Sequence, residues 1–85
     1  MGEEREVGRV TRYFGKIGVA AVKATARIAR GDALRFRGHT TDVQMTVDSM
    51  QIEAAVVDEI GPGDEVGIRV PGKVREGDVV YKLEP

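Results

Sequence analysis

The chain has 85 residues and a formal net charge of −1. That size makes one domain over residues 1–85 and buries only about 60–65% of the surface that an unfolded chain exposes, so a large enclosed active site is not expected. There is no cysteine and only one histidine, which excludes disulfides, thiolate catalysis and cysteine-based metal sites. We therefore expect no metal and no other cofactor.

The composition indicates a folded protein that does not span a membrane. Hydrophobic residues make up 41% and charged residues 32% of the chain, which argues against disorder. No apolar run approaches the roughly twenty residues of a membrane span. The acidic start "MGEERE" lacks the basic and apolar regions of a signal peptide. We expect a cytoplasmic location.

The first half of the chain alternates apolar and polar residues with a period of two, which is typical of strands. Residues 1–5 are expected to be frayed. "VGRVTRYF" is the first predicted strand, and "IGVAAVKAT" returns after a tight hairpin at residues 14–17 in which Gly15 supplies a positive φ angle. "ALRFRG" follows a Gly-Asp turn and is the third predicted strand.

The second half continues the alternation but changes phase once. Apolar residues face one way in 43–47 and the other way from Met50, which predicts a bulge or bend near Ser49. "EAAVVDEI" is ambiguous, because it could also form one helical turn. "EVGIRV" and "VVYKL" complete about six strands, and we expect an all-β fold that is a small closed six-stranded antiparallel β-barrel. The predicted core consists of Val10, Val19, Leu34, Phe36, Val47, Val66, Ile68, Val79 and Tyr81.

The stretch "GHTTD" holds the only histidine and raises the question of catalysis. A small enzyme would need His39 to converge with Asp42 and with Thr40 or Thr41. The competing interpretation is a turn whose Thr and Asp side chains bond to nearby backbone. The chain is too short and too poor in partners for a triad drawn from distant segments. We expect a turn histidine and no enzymatic activity.

Several motifs resemble the second domain of translational GTPases, the family of elongation factor Tu and its archaeal and eukaryotic relatives. "ARGDAL", "VDSMQI", "PGDEVGI" and "VREGDVV" are similar, in that order, to its Gly-Asp steps and its long central strand. The resemblance covers about residues 7–83 and implies a stand-alone elongation-factor-like barrel. It places Gln51 and Glu65 where tRNA-delivering members hold the aminoacylated 3′ end. The phosphate loop needed for nucleotide hydrolysis is absent from the sequence.

The charges suggest where RNA would bind such a module. Residues 1–39 carry nine Lys or Arg against four Asp or Glu, whereas residues 40–85 carry four against ten. A basic first hairpin and third strand could neutralise phosphates of ribosomal or transfer RNA. The candidate RNA-binding residues are Arg9, Arg12, Lys16, Arg35, Arg37 and Gln51. In the competing interpretation, acidic residues pair with these arginines and cancel the field.

A protein-interaction or accessory barrel without nucleic-acid binding is the alternative function. A barrel related to this family is appended to collagenase-like peptidases, where it is not the catalytic part. A nearly neutral chain with an acidic second half suits contact with a protein partner at least as well as contact with RNA.

Overall fold

The computed structural model describes residues 3–84, and these residues form ten β-strands. The strands are β1 (Glu3–Phe14), β2 (Val19–Ala24), β3 (Ile28–Ala29), β4 (Ala33–Arg37), β5 (Asp42–Thr46), β6 (Met50–Ile52), β7 (Ala55–Val57), β8 (Glu59–Ile60), β9 (Glu65–Arg69) and β10 (Val79–Glu84). Within this range, the structure has no helix with the length and apolarity of a membrane span. The all-β prediction is confirmed.

Eight of the strands form one antiparallel sheet in the order β5-β4-β10-β1-β2-β9-β6-β7, and β3 pairs with β8 in a small second sheet. The described ladders leave β5 and β7 as edges, so the closed six-stranded barrel is not found among residues 3–84. β1 lies at the centre and is interrupted between Glu6 and Gly8 and between Val10 and Arg12. Such bulges bend a strand and increase its twist. A side chain at Gly8 would lie 2.8 Å from the Lys23 carbonyl oxygen, so this bend needs glycine.

Residues 3–5, which the sequence predicts to be frayed, are part of β1. Glu3, Glu4 and Arg5 pair with β10 opposite Glu84, Leu83 and Lys82. The prediction was wrong for these three positions because the partner strand is distant in sequence. Residues 1 and 2 lie outside the described residues.

Sixteen buried apolar side chains form one core cluster in the part of the chain that the structure describes. Six of the nine predicted core residues belong to it: Val10, Leu34, Phe36, Val47, Val66 and Ile68. Val19, Val79 and Tyr81 are only partly buried, and their strands bury Ala20, Val22 and Val80 instead. Both faces of these two strands carry apolar residues, so the alternation does not specify which face turns inward.

Three Gly-Asp turns share one construction. In each turn the glycine has a φ of 91–93° (Gly31, Gly63 and Gly77), as the third position of a type II turn requires. The aspartate side chain accepts a hydrogen bond from the backbone N–H three residues earlier, at 2.8 Å for Asp32, 3.0 Å for Asp64 and 2.7 Å for Asp78. The repeated Gly-Asp motif is therefore turn chemistry.

Three local predictions met different outcomes. The first hairpin closes with Gly18 at positive φ, not Gly15, because four residues, 15–18, connect the strands instead of the predicted two, and the N–H groups of Ile17 and Gly18 both donate to the Phe14 carbonyl. The phase change near Ser49 is confirmed, since β5 ends at Thr46 and β6 begins at Met50. "EAAVVDEI" forms short strands rather than a helical turn.

Candidate functional site

One outward face of the sheet, across β1, β2, β9, β6 and β7, contains a shallow trough. Residues directly opposite in a ladder share a face of the sheet. One row runs through Arg12, Ala21, Gly67, Gln51 and Val56, and the next through Phe14, Val19 and Arg69. Ala21 and Gly67 lie in the middle of the first row and have a methyl group and no side chain, respectively. The larger side chains around them therefore form the walls of the trough. We call this surface the trough face.

The trough consists of two adjoining grooves. One has a volume of about 310 Å³ and is lined by Ile17, Val19, Ser49, Gln51, Gly67 and Arg69. The other measures about 240 Å³ and is lined by Thr11, Arg12, Phe14, Ala21 and Glu65. Ala21 and Gly67 are directly paired, so the grooves meet along the seam between β2 and β9. A side chain on Gly67 would contact Val19 at 3.3 Å and partly fill the first groove.

The large apolar side chains that residues 3–84 expose are gathered on this face and at its hairpin. Phe14 is 42% exposed, Ile17 62% and Val56 67%. Each has a polar or charged neighbour in its row or groove, such as Arg69, Gln51 or Arg12. An apolar patch rimmed by polar residues is typical of an interaction surface.

The charges at the trough are mostly cationic and open to solvent, and Glu65 is the one carboxylate among the residues that line its two grooves. Arg12, Lys16 and Arg69 are exposed, and the ion pairs found among residues 3–84 include none of them. The nearby Glu65 accepts a hydrogen bond from the Thr11 hydroxyl at 3.0 Å. The trough face therefore combines apolar contact area with unneutralised positive charge.

The predicted RNA-binding residues do not form one stripe. Arg12, Lys16 and Gln51 lie on or beside the trough face, whereas Arg35 and Arg37 lie on β4, which β10 separates from β1. Arg9 stands opposite Lys23 and Val79, one row beyond the trough. A continuous stripe would have required β1 and β4 to be neighbours.

Arg35 and Arg37 are neutralised by carboxylates. Arg35 donates to both oxygens of Asp42 at 2.8 Å and to Glu4 at 2.6 Å, and Arg37 donates to Glu4 at 3.3 Å. The hydrogen bonds that Arg35 donates hold the pKa of Asp42 below its ordinary value, and the carboxylates of Asp42 and Glu4, which accept them, raise the pKa of Arg35. We call these four residues the ion-paired cluster. The competing prediction of paired arginines is correct for Arg35 and Asp42.

His39 is exposed in the turn after β4. The turn is closed by the Gly38 N–H, which donates to the Thr41 carbonyl at 2.9 Å. Asp42, the predicted partner of His39 in an enzyme, is bonded to Arg35 instead. Among the described residues no group of three or more His, Cys, Asp or Glu side chains is arranged to hold a metal ion.

Sequence reasoning missed several trough residues, among them Ile17, Val56, Ala21, Gly67 and Arg69. Two signals could have indicated them. An isoleucine at the tip of a hairpin is exposed by the turn itself, and a glycine inside a strand often marks a close approach of another group. The cross-strand rows depend on the order of strands, which the alternation does not reveal.

Known proteins resemble the chain in sequence and in fold, although no protein-family model matches it. Over 80 residues it is 38% identical to a protein named an uncharacterised protease of Methanocaldococcus jannaschii, covering 93% of this chain and 20% of that protein. It is 30% identical over 80 residues to a collagenase of Porphyromonas gingivalis, covering 92% of the chain and 22% of the collagenase. The chain thus spans about a fifth of the length of the curated relatives it matches.

The comparison with solved structures agrees with the comparison of sequences. The C-terminal domain of a Geobacillus thermoleovorans protein described as a U32 peptidase superposes with a TM-score of 0.87 at 20% identity, and the match covers 92% of this chain and 99% of that domain. A second structure of that domain gives a TM-score of 0.85 at 20% identity, with 91% and 90% covered. The chain therefore has the fold of this peptidase domain.

These comparisons overturn the resemblance to translational GTPases. The prediction of a stand-alone elongation-factor-like protein was wrong, and so was the translation-related RNA-binding function inferred from it: the sequence relatives are named proteases and collagenases, and the structural neighbours are peptidase domains. The motifs misled because the Gly-Asp steps are type II turns with an aspartate bond, which any small β domain with similar turn spacing can use.

Proposed function

We propose that this chain is a non-catalytic accessory domain that works with a peptidase of the U32 kind and binds the body of that enzyme through the trough face. The proposal draws on the names of its relatives, each of which has about four fifths of its length outside the matched segment. That remainder has ample room for a peptidase active site. The matched segment, about a fifth of each relative, supplies a sheet with an exposed face.

The gathering of Phe14, Ile17 and Val56 beside unpaired cations carries the proposal. Buried interface centres are rich in aromatic and apolar side chains, and Arg is enriched around them. The floor of Ala21 and Gly67 leaves room for side chains from a partner. Because Arg12, Lys16 and Arg69 carry positive charge, the partner surface should present apolar side chains flanked by Asp or Glu.

A chimeric enzyme tests this function. The matched 80-residue segment of the Methanocaldococcus jannaschii protease would be replaced by the corresponding part of this chain, and hydrolysis of gelatin and casein would be measured. We expect an active chimera whose rate falls at least tenfold with Phe14→Ser, Ile17→Ser and Arg69→Glu combined, because the domain no longer docks.

His39→Ala in the same chimera is the matched control, since His39 is exposed in a turn away from the trough. It should leave the rate unchanged. Loss of activity in this control, or hydrolysis by the 85-residue chain alone, would contradict a non-catalytic role. Full activity in the trough variant would contradict docking through this face.

Two finer predictions belong with this proposal. A cytoplasmic location stays a prediction, and fractionation of source cells with an antibody to the chain would test it. Closure into a six-stranded barrel also stays a prediction. It would require backbone hydrogen bonds between β5 and the end of β9 at residues 69–71, which line one groove together with β5.

A further inference from the structure

The backbone of β5 has an open side. In an antiparallel pair, residues that exchange hydrogen bonds alternate with residues whose N–H and C=O groups point away. Just outside β5, Val47 N donates to Asp32 O and Gly38 N donates to Thr41 O, both at 2.9 Å. Odd-numbered positions are therefore the ones bonded toward β4. The backbone groups that point to the open side belong to Asp42, Gln44 and Thr46.

A groove runs along this open side. It has a volume of about 430 Å³ and is lined by Gly18, Gln44, Met45, Thr46, Asp48, Arg69, Val70 and Pro71. Pockets that hold ligands typically measure about 300–1,000 Å³. One wall is the edge of β5, and the other is the segment after β9. The groove thus lies between the edge of β5 and the end of β9.

A second groove lies on the outward face of the same strand. It measures about 240 Å³ and is lined by Ala33, Gln44, Met45, Thr46 and Leu83. A strand added beside β5 would direct alternate side chains to the two faces of the sheet. Side chains on one face of the added strand would contact Met45 and Val70, and those on the other face would contact Leu83. The edge thus offers backbone partners with a groove for each set of side chains.

The sequence of β5 leaves this edge unprotected. Proteins commonly block edge strands with lysine, proline or a bulge. β5 reads "DVQMT" and contains neither residue, its one charged side chain, Asp42, is held by Arg35, and its five pairs with β4 run in unbroken register. Alternating N–H and C=O groups at strand spacing are recognised by an extended polypeptide backbone.

We propose that the open edge of β5 binds an extended segment of a partner polypeptide as an added strand, with apolar side chains directed toward Met45 and Val70. This inference concerns the edge of β5, whose groove shares Arg69 with the trough face, and it does not rest on the proposed function. We expect a single strand as the occupant because residues 69–71 line the far side of the groove. A second folded copy of the chain would place its own residues 69–71 against that segment.

Fluorescence polarisation with a labelled peptide tests the proposal. The probe is Lys-Thr-Val-Thr-Val-Thr-Lys, which has strand-forming residues and charged ends, and the protein is the full chain. Gln44→Pro removes an outward N–H and leaves the bonds from Val43 and Met45 to β4 in place. Gln44→Ala is the matched control because it keeps that N–H. We expect Gln44→Pro to weaken binding roughly tenfold or more relative to Gln44→Ala.

Further measurements separate the outcomes. Thermal unfolding must show that Gln44→Pro is folded at the assay temperature, and Thr46→Pro, the next outward position, replaces it if it is not. The same peptide with every Thr and Val nitrogen methylated should not bind. The double variant Phe14→Ser/Ile17→Ser, which keeps Arg69 because that residue also lines this groove, should bind the peptide normally, so failure of the docking proposal would leave this result intact.

Three results would overturn the proposal: equal affinity of the proline and alanine variants, binding of the methylated peptide, or no binding at millimolar peptide. Self-association of the wild-type chain that Gln44→Pro abolishes would also overturn it, because the occupant of the edge would then be a second copy.

Discussion

The trough face and the ion-paired cluster lie on strands of the same sheet, but their arginines differ. Those of the cluster form ion pairs, whereas those of the trough face form none within residues 3–84. In the cluster, the Arg35 side chain is largely covered and is held by Asp42 and Glu4. At the trough, Arg12 and Arg69 extend into solvent with no carboxylate bonded among the described residues. The difference indicates that charge in the first region stabilises the fold, whereas charge in the second is left for a partner.

The largest contrast between the regions should appear in their phenylalanines. Phe36 on β4 is fully buried, and Phe14 beside the trough is 42% exposed. Phe36→Ala should lower the free energy of unfolding by roughly 3–5 kcal/mol, because transfer energy is lost and a cavity remains. Phe14→Ala should cost less than about 1 kcal/mol. Urea denaturation of both variants would measure this, and similar losses would erase the distinction between core and docking surface.

A smaller effect is expected at the end of β4. A side chain at Gly38 would overlap the carboxylate of Asp78, which is buried and accepts a hydrogen bond from Arg75 N at 2.7 Å. Gly38→Ala should therefore cost about 1–3 kcal/mol by overpacking. Gly61→Ala is the control, since nothing lies within 4 Å of its added carbon. If thermal melts showed the two variants to be equally stable, the turn after β4 would be able to move and accommodate the added methyl group.

The smallest effect concerns the pH dependence of the ion-paired cluster. Because Arg35 lowers the pKa of Asp42 in the folded state, the contribution of this pair is complete above the ordinary carboxyl pKa of about 4. It is lost as the pH falls through the lowered folded value. A double-mutant cycle with Arg35→Gln and Asp42→Asn should give a small favourable coupling at neutral pH. That coupling should vanish at a pH low enough to protonate Asp42 in both the folded and the unfolded state.

A coupling that stays constant down to that pH would show that the pair acts through packing rather than charge. The same cycle in concentrated salt should give a smaller value at neutral pH, because both groups lie at the surface and are screened.

Parts of the candidate site could be predicted from the sequence, and parts could not. Arg12, Lys16 and Gln51 are on or beside the trough as charged or polar residues of predicted strands and hairpin. Their grouping with Arg35 and Arg37 was wrong because β10, the last strand in the chain, inserts between β1 and β4. The family suggested by the motifs was wrong because those motifs encode turns.

Local sequence patterns were enough to predict the all-β class, the Gly-Asp turns, the phase change near Ser49 and the burial of Leu34, Phe36, Val66 and Ile68. These features are local, since they follow from alternation along single strands and from the φ angles that glycine allows. The tertiary structure alone decided the order of strands, the inward face of β2 and β10, the neutralisation of Arg35, the trough and the open edge of β5. Each of these depends on contacts between segments far apart in the chain, and alternation within a strand does not specify its neighbours.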